Sequence, residues 1–134
     1  VIVVDTNVLA ALHLEAKSSK DARSLLNRDP DWVAPGLWRY EFRNLLATLI
    51  RHGLVSLDGA LLILSTVESQ MGPHDHIVPS AEVLSYAASS GCTAYDCEFV
   101  VLATILAVPL VTLDRQVLRA FPRIATTPEF YLRR

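Results

Sequence analysis

Lysine is almost missing from this chain. Of its twelve basic residues only Lys17 and Lys20 are lysines, which excludes phosphoryl-transfer sites that pair a strand-end aspartate with a later lysine. Cysteine is equally scarce. Cys92 and Cys97 form neither a CxxC element nor a disulfide framework, so they read as small buried apolar residues in a reducing, cytoplasmic setting. Long hydrophobic runs are absent. The longest, Phe99 to Val111, is broken by Thr104 and Pro109 and falls short of the ~20 residues a membrane helix needs. No basic segment opens the chain, so no signal peptide is expected. Net charge is only −2 and the pI about 6.1, which disfavours non-specific polyanion binding and confines any nucleic-acid contact to a local patch.

What is present is apolar material. The 134 residues are 51% hydrophobic and mean hydropathy is +0.33, enough for one domain spanning 1–134 and for apolar surface left to a partner. Val1-Ile2-Val3-Val4 reads as a buried parallel strand. Helices are expected at Asn7–Leu14 and Ala22–Arg28, with Glu15–Asp21 a polar loop between them and Trp32–Ala34 a weak strand. Leu37–Arg51 carries a stripe of Trp38, Phe42, Leu45, Leu46 and Leu49 at helical spacing and ends at His52-Gly53. Leu57–Glu68 should complete a helical hairpin. Ile77-Val78 is expected as a short strand, Ser80–Ser90 as a helix capped by Ser80, and Thr93–Ala107 as a helix buried on nearly all sides. Leu110–Leu113 reads as a strand, Arg115–Ala120 as a short helix, and Ile124-Ala125 as a last strand. The alternation predicts an α/β fold with a short, mainly parallel central sheet.

Four acids stand at the joints of this pattern. Asp5 and Asp114 close strands; Glu41 and Asp96 lie near helix starts. Each has an ordinary explanation. Aspartate is a preferred N-cap, Thr93-Ala94-Tyr95-Asp96 fits a capping box, and an early carboxylate complements the dipole of the Glu41 helix. Taken together they say more. The carboxyl ends of parallel strands converge on one edge, where ligands bind. Carboxylates ~4 Å apart repel by about 4 kcal/mol at an effective dielectric of 20, and a divalent cation relieves that. All-oxygen donors favour Mg²⁺ or Mn²⁺ over zinc.

These residues carry a resemblance. Val4-Asp5-Thr6-Asn7, Trp38 through Asn44 (WRYEFRN), Thr93 through Asp96 (TAYD) and Val111 through Asp114 (VTLD) occur in an order and at separations that resemble the PIN-domain family, and within it the VapC-type toxins of toxin–antitoxin pairs. The resemblance spans almost the whole chain. It implies an α/β/α sandwich and an Mg²⁺- or Mn²⁺-dependent endoribonuclease. Its metal-binding acids fall on Asp5, Glu41, Asp96 and Asp114, with Thr6, Asn7 and Thr112 supporting them. It further implies a cytoplasmic homodimer held inactive by a small antitoxin lying over apolar helices. Cys97-Glu98-Phe99 departs mildly from the family pattern.

Weaker signals accompany these. Arg39, Arg43 and Arg115 are candidates for RNA phosphates, as are Arg51 and Arg119; solvated helix faces explain them equally well. His74-Asp75-His76 lacks the ligands of a zinc site and reads as a loop. Trp32 and Trp38 read as core, and Arg133-Arg134 as a disordered tail. Haloacid-dehalogenase-like phosphatases and receiver domains are excluded by the missing lysine, and the former also by Asn7. A non-catalytic PIN-like interaction module is the remaining alternative.

Overall fold

The computed structural model describes residues 1–134. Four short strands, β1 (Ile2–Val4), β2 (Trp32–Val33), β3 (Leu110–Val111) and β4 (Ala125–Thr126), form one sheet in the order β2-β1-β3-β4, every pair parallel. Ile2, Val3 and Val4 are fully buried at its centre, as the unbroken β-branched run requires. Val4 faces Val111 across the β1–β3 ladder, and Val111 faces Thr126 in β4. Parallel register therefore delivers Asp5 and Thr112 to the same edge.

The helices are α1 (Thr6–His13), α2 (Ser19–Arg28), α3 (Leu37–Arg51), α4 (Leu57–Met71), α5 (Ser80–Ser90), α6 (Ala94–Leu106), α7 (Arg115–Ala120) and α8 (Pro128–Leu132). Three of them fix the site. α6 packs on β1 and β3, and α1 packs against both α3 and α4. In α3 the stripe Trp38, Phe42 and Leu46 is buried, with the two rings edge to face at 6.5 Å. That anchoring sets the rotation of α3 and turns Glu41 toward α1.

Several expectations need correction. Ile77-Val78 is not a strand; Ile77 is 94% exposed, Pro79 offers no N–H, and the only pairing nearby is an isolated bridge between Pro35 and His76. Ser80 is the first helical residue of α5, and Pro79 occupies the cap. The last turn of α6 emerges into solvent, leaving Ile105 and Leu106 exposed. α8 was not anticipated; Thr127 caps it and Pro128 opens it. The final arginines are not a loose tail. Arg133 pairs with Glu129, Arg134 lies over the Tyr131 ring, and the Arg134 carbonyl accepts from Arg28. One helix end is strained: Ala107 closes α6 with φ +55° and ψ +43°, where α5 uses Gly91.

Candidate functional site

Asp5 is held on both sides at the carboxyl edge of the sheet. Its Oδ1 accepts from the Thr6 backbone N–H at 2.7 Å, and its Oδ2 accepts from the Thr112 hydroxyl at 2.7 Å. The Thr112 oxygen in turn accepts from the Asp114 N–H at 3.0 Å. One buried threonine thus locks the first acid to the last and turns the chain out of β3. The Thr6 hydroxyl donates to Glu41 Oε1 at 2.7 Å, which ties α3 to the edge. Asn7 Oδ1 accepts from the Leu113 N–H at 3.2 Å and closes the gap between β3 and α1.

Asp96 arrives on the first turn of α6. Thr93 caps that helix by accepting from the Asp96 N–H at 3.1 Å, and the Asp96 carboxylate has no protein partner. Asp114 caps α7, its Oδ1 accepting from the N–H groups of Gln116 and Val117 at 2.8 and 3.1 Å. Its other oxygen makes no hydrogen bond or ion pair with the protein. The ordinary explanation and the functional one therefore coexist: Asp5 and Asp114 are helix caps, and both line the cleft.

That cleft has a volume of about 980 Å³. Asp5, Glu41, Asp96 and Asp114 lie at one end, beside Thr6 and Asn7. Aliphatic walls from α1, α3 and α4 extend away from them, and the α1–α2 connection with Lys17 and Ser18 bounds the other end. Burial, above any neighbour, pushes the Asp5 carboxyl from 3.8 up to about 6; Thr112 and Thr6 pull it down, while Glu41 and Asp96 push it up. Burial likewise raises Glu41, against the Thr6 hydroxyl and with the charge of Asp96. Three carboxylates thus feel one another in one recessed space.

No three Asp, Glu, His or Cys side chains close into a cage around a single ion. The donor set nevertheless fits a hydrated hard cation, which takes one or two carboxylates and fills its remaining positions with water or phosphate oxygens. It does not fit zinc. No cysteine lines the cleft, and His13, the one histidine there, is engaged with Gln70 of α4.

The arginines proposed for RNA contact are not in the cleft. Arg39 is committed elsewhere. Its Nε donates to both oxygens of Asp75 at 2.9 Å, and its other nitrogens reach Glu68 and the Gly72 carbonyl at 3.1 Å. Its guanidinium also stacks on Trp38, so it is a structural clamp and is withdrawn as a phosphate ligand. Arg43 lies over the Tyr40 ring on an exposed face of α3. Arg115 is exposed, beside Asp114 and without an ion pair. Sequence reasoning passed over Lys17 and His13, both of which line the cleft. The clustering of the only two lysines was the available signal.

Comparison with known proteins gives one consistent result. The family model described as "PIN domain" matches residues 2–125. A curated relative, Ribonuclease VapC3 of Pyrobaculum aerophilum, is 29% identical over 128 residues, covering 93% of this chain and 98% of that protein. A crystal structure of PAE2754 from the same organism superposes with a TM-score of 0.77 at 28% identity, covering 98% of this chain and 92% of that one. A chain of a toxin–antitoxin complex from Klebsiella pneumoniae superposes with a TM-score of 0.67 at 13% identity, covering 96% of this chain and 98% of that one, which speaks to the fold alone.

Proposed function

We propose that this chain, which belongs to the PIN-domain family, is a divalent-metal-dependent endoribonuclease of the VapC type, folded as a single domain over 1–134, with its active site at the acid end of the cleft. The observation that carries the reading is the convergence of Asp5, Glu41 and Asp96, mutually repelling, at the carboxyl edge of a parallel sheet. The name of the Pyrobaculum relative supplies the substrate class.

Asp5, Glu41, Asp96 and Asp114 would hold Mg²⁺ or Mn²⁺. Bound there, such an ion supplies charge for the scissile phosphate and acidifies the attacking water. The chain's own groups set the stage. Thr112 and the Thr6 N–H each engage one Asp5 oxygen and fix the carboxylate in the cleft wall. Thr6 takes Glu41 Oε1, leaving Oε2 to orient the water and receive its proton. Asn7, through Leu113, and Thr112, through the Asp114 N–H, keep Asp114 at the rim. Arg43 and Arg115 contact phosphates outside the cleft.

The aliphatic walls, including Leu14, Leu45, Leu49 and Ile63, lead straight to the acids. A small antitoxin with an apolar segment and a basic side chain fits that combination. Homodimerisation and a cytoplasmic location complete the proposal. Exposed Leu57, Leu61 and Leu62 on α4 and two buried free thiols are in keeping with it, and no helix is long and apolar enough to cross a membrane.

The test is cleavage of RNA with Mn²⁺ by the wild type and by Asp5→Ala. If the wild type leaves RNA intact, or the variant cuts as fast, the nuclease reading is wrong and a non-catalytic interaction module takes its place.

A further inference from the structure

We infer that single-stranded RNA leaving the acid cleft runs over a basic ledge formed by Lys17, Lys20 and Arg23, an inference that rests on the ribonuclease reading above. The far end of the cleft is the connection between α1 and α2. Residues His13 to Lys17, the end of α1 and most of that connection, also line a second, smaller hollow of about 460 Å³, together with Ser19, Lys20 and Arg23. The two hollows share five consecutive residues, so a strand lying in one continues over the lip into the other.

The lip is built. Buried Ser19 accepts from the Ala16 N–H and donates to the Leu14 carbonyl, both at 3.0 Å, and its own N–H donates to the Ala16 carbonyl at 3.2 Å. Those bonds fold the connection back on α2 and hold Lys17 at the rim. Lys20 and Arg23 are three residues apart on α2 and share a face.

The charges there are unspent. Arg28, Arg39 and Arg133 bind carbonyls or carboxylates, and Arg134 lies over an aromatic ring. Lys17, Lys20 and Arg23 are exposed and take part in none of the ion pairs or side-chain hydrogen bonds. Glu15 and Asp21 share the segment but pair with none of them, so residues 15–23 hold three cations and two acids. A chain of net charge −2 whose cleft is lined by five acids, Glu15 of this segment among them, repels a polyanion. An adjoining cationic rim offsets that repulsion and gives the strand a direction.

The experiment is the salt dependence of binding of a fluorescent, mixed-sequence RNA of about 20 nucleotides to the full chain in Ca²⁺ buffer, from about 50 to 200 mM KCl. The variants are the triple Lys17→Ala/Lys20→Ala/Arg23→Ala and the charge reversal Lys20→Glu/Arg23→Glu, with thermal melts to confirm folding. Three lost phosphate contacts reduce the slope of log K against log salt by about 2, and weaken low-salt binding about tenfold or more. The reversal should weaken it at least as much. If slope and affinity match the wild type in both folded variants, the ledge faces something other than nucleic acid and the inference is overturned while wild-type cleavage still supports the function. A wild type that neither binds nor cuts RNA overturns both.

Discussion

Two charged clusters lie within one turn of each other on α3, and they are built on opposite rules. Around Arg39 every charge has a counterpart: a guanidinium forked onto Asp75, reaching Glu68 and a carbonyl, and stacked on a tryptophan. Around Glu41 the charges are all of one sign, and the only relief comes from threonine hydroxyls and a backbone amide. The first arrangement stabilises the fold by itself. The second costs stability until something of opposite charge arrives, which is why uncompensated like charges mark a site and compensated ones mark scaffolding.

The largest effect that sharpens this contrast falls on activity. Asp96→Asn or Asp5→Ala should reduce RNA cleavage by roughly 10² to 10⁴-fold, with the fold intact by circular dichroism. Loss of secondary structure, or cleavage within a few-fold of wild type, would put these acids among the scaffolding. On the other cluster, Arg39→Ala should lower stability by about 1–2 kcal/mol in urea titration, a figure held down because Asp75 and Glu68 are partly solvated. Cleavage per folded molecule should be unchanged.

A smaller effect tests the cost of burying the Asp5 charge, to which Glu41 and Asp96 add. The Asp5 carboxyl titrates at about 6 in the fold against an ordinary 3.8. Its stabilising contribution is complete below 3.8 and is lost as pH rises through about 6. In EDTA the wild-type Tm should therefore fall between about pH 5 and pH 7.5 more than that of Asp5→Asn, and at the higher pH the variant should melt roughly 3–8 °C above wild type. A variant that melts lower shows that the lost hydrogen bonding outweighs the relieved charge. Last, Ala107→Gly should stabilise by about 0.5–1 kcal/mol by removing a Cβ from a left-handed backbone. Ala107 does not line the cleft, so chemical denaturation should shift while cleavage does not.

Much of this was legible from the residues. The β-branched run before Asp5 read as a buried strand, and the stripe Trp38, Phe42, Leu45, Leu46 and Leu49 predicted α3 with its observed bounds, Leu37–Arg51, although Leu45 and Leu49 line the cleft. The carboxyl edge followed from strand–helix alternation. The failures share a cause. Ile77-Val78 has strand composition but no neighbour to pair with, and β-pairing is decided between segments. Arg39 and Arg115 look alike in sequence. Only the fold brings Asp75, 36 residues away, against one and leaves the other in water.

The sequence by itself determined the order of the elements and the placing of an acid at each joint, because side-chain periodicity and capping are local properties. Tertiary structure decided the rest. It turned Glu41 onto Thr6, hung Asp5 on Thr112 across 107 positions, spent Arg39 on Asp75 and left Lys17, Lys20 and Arg23 unspent. Electrostatics acts through space, and a charge acquires its meaning from the neighbours that folding supplies.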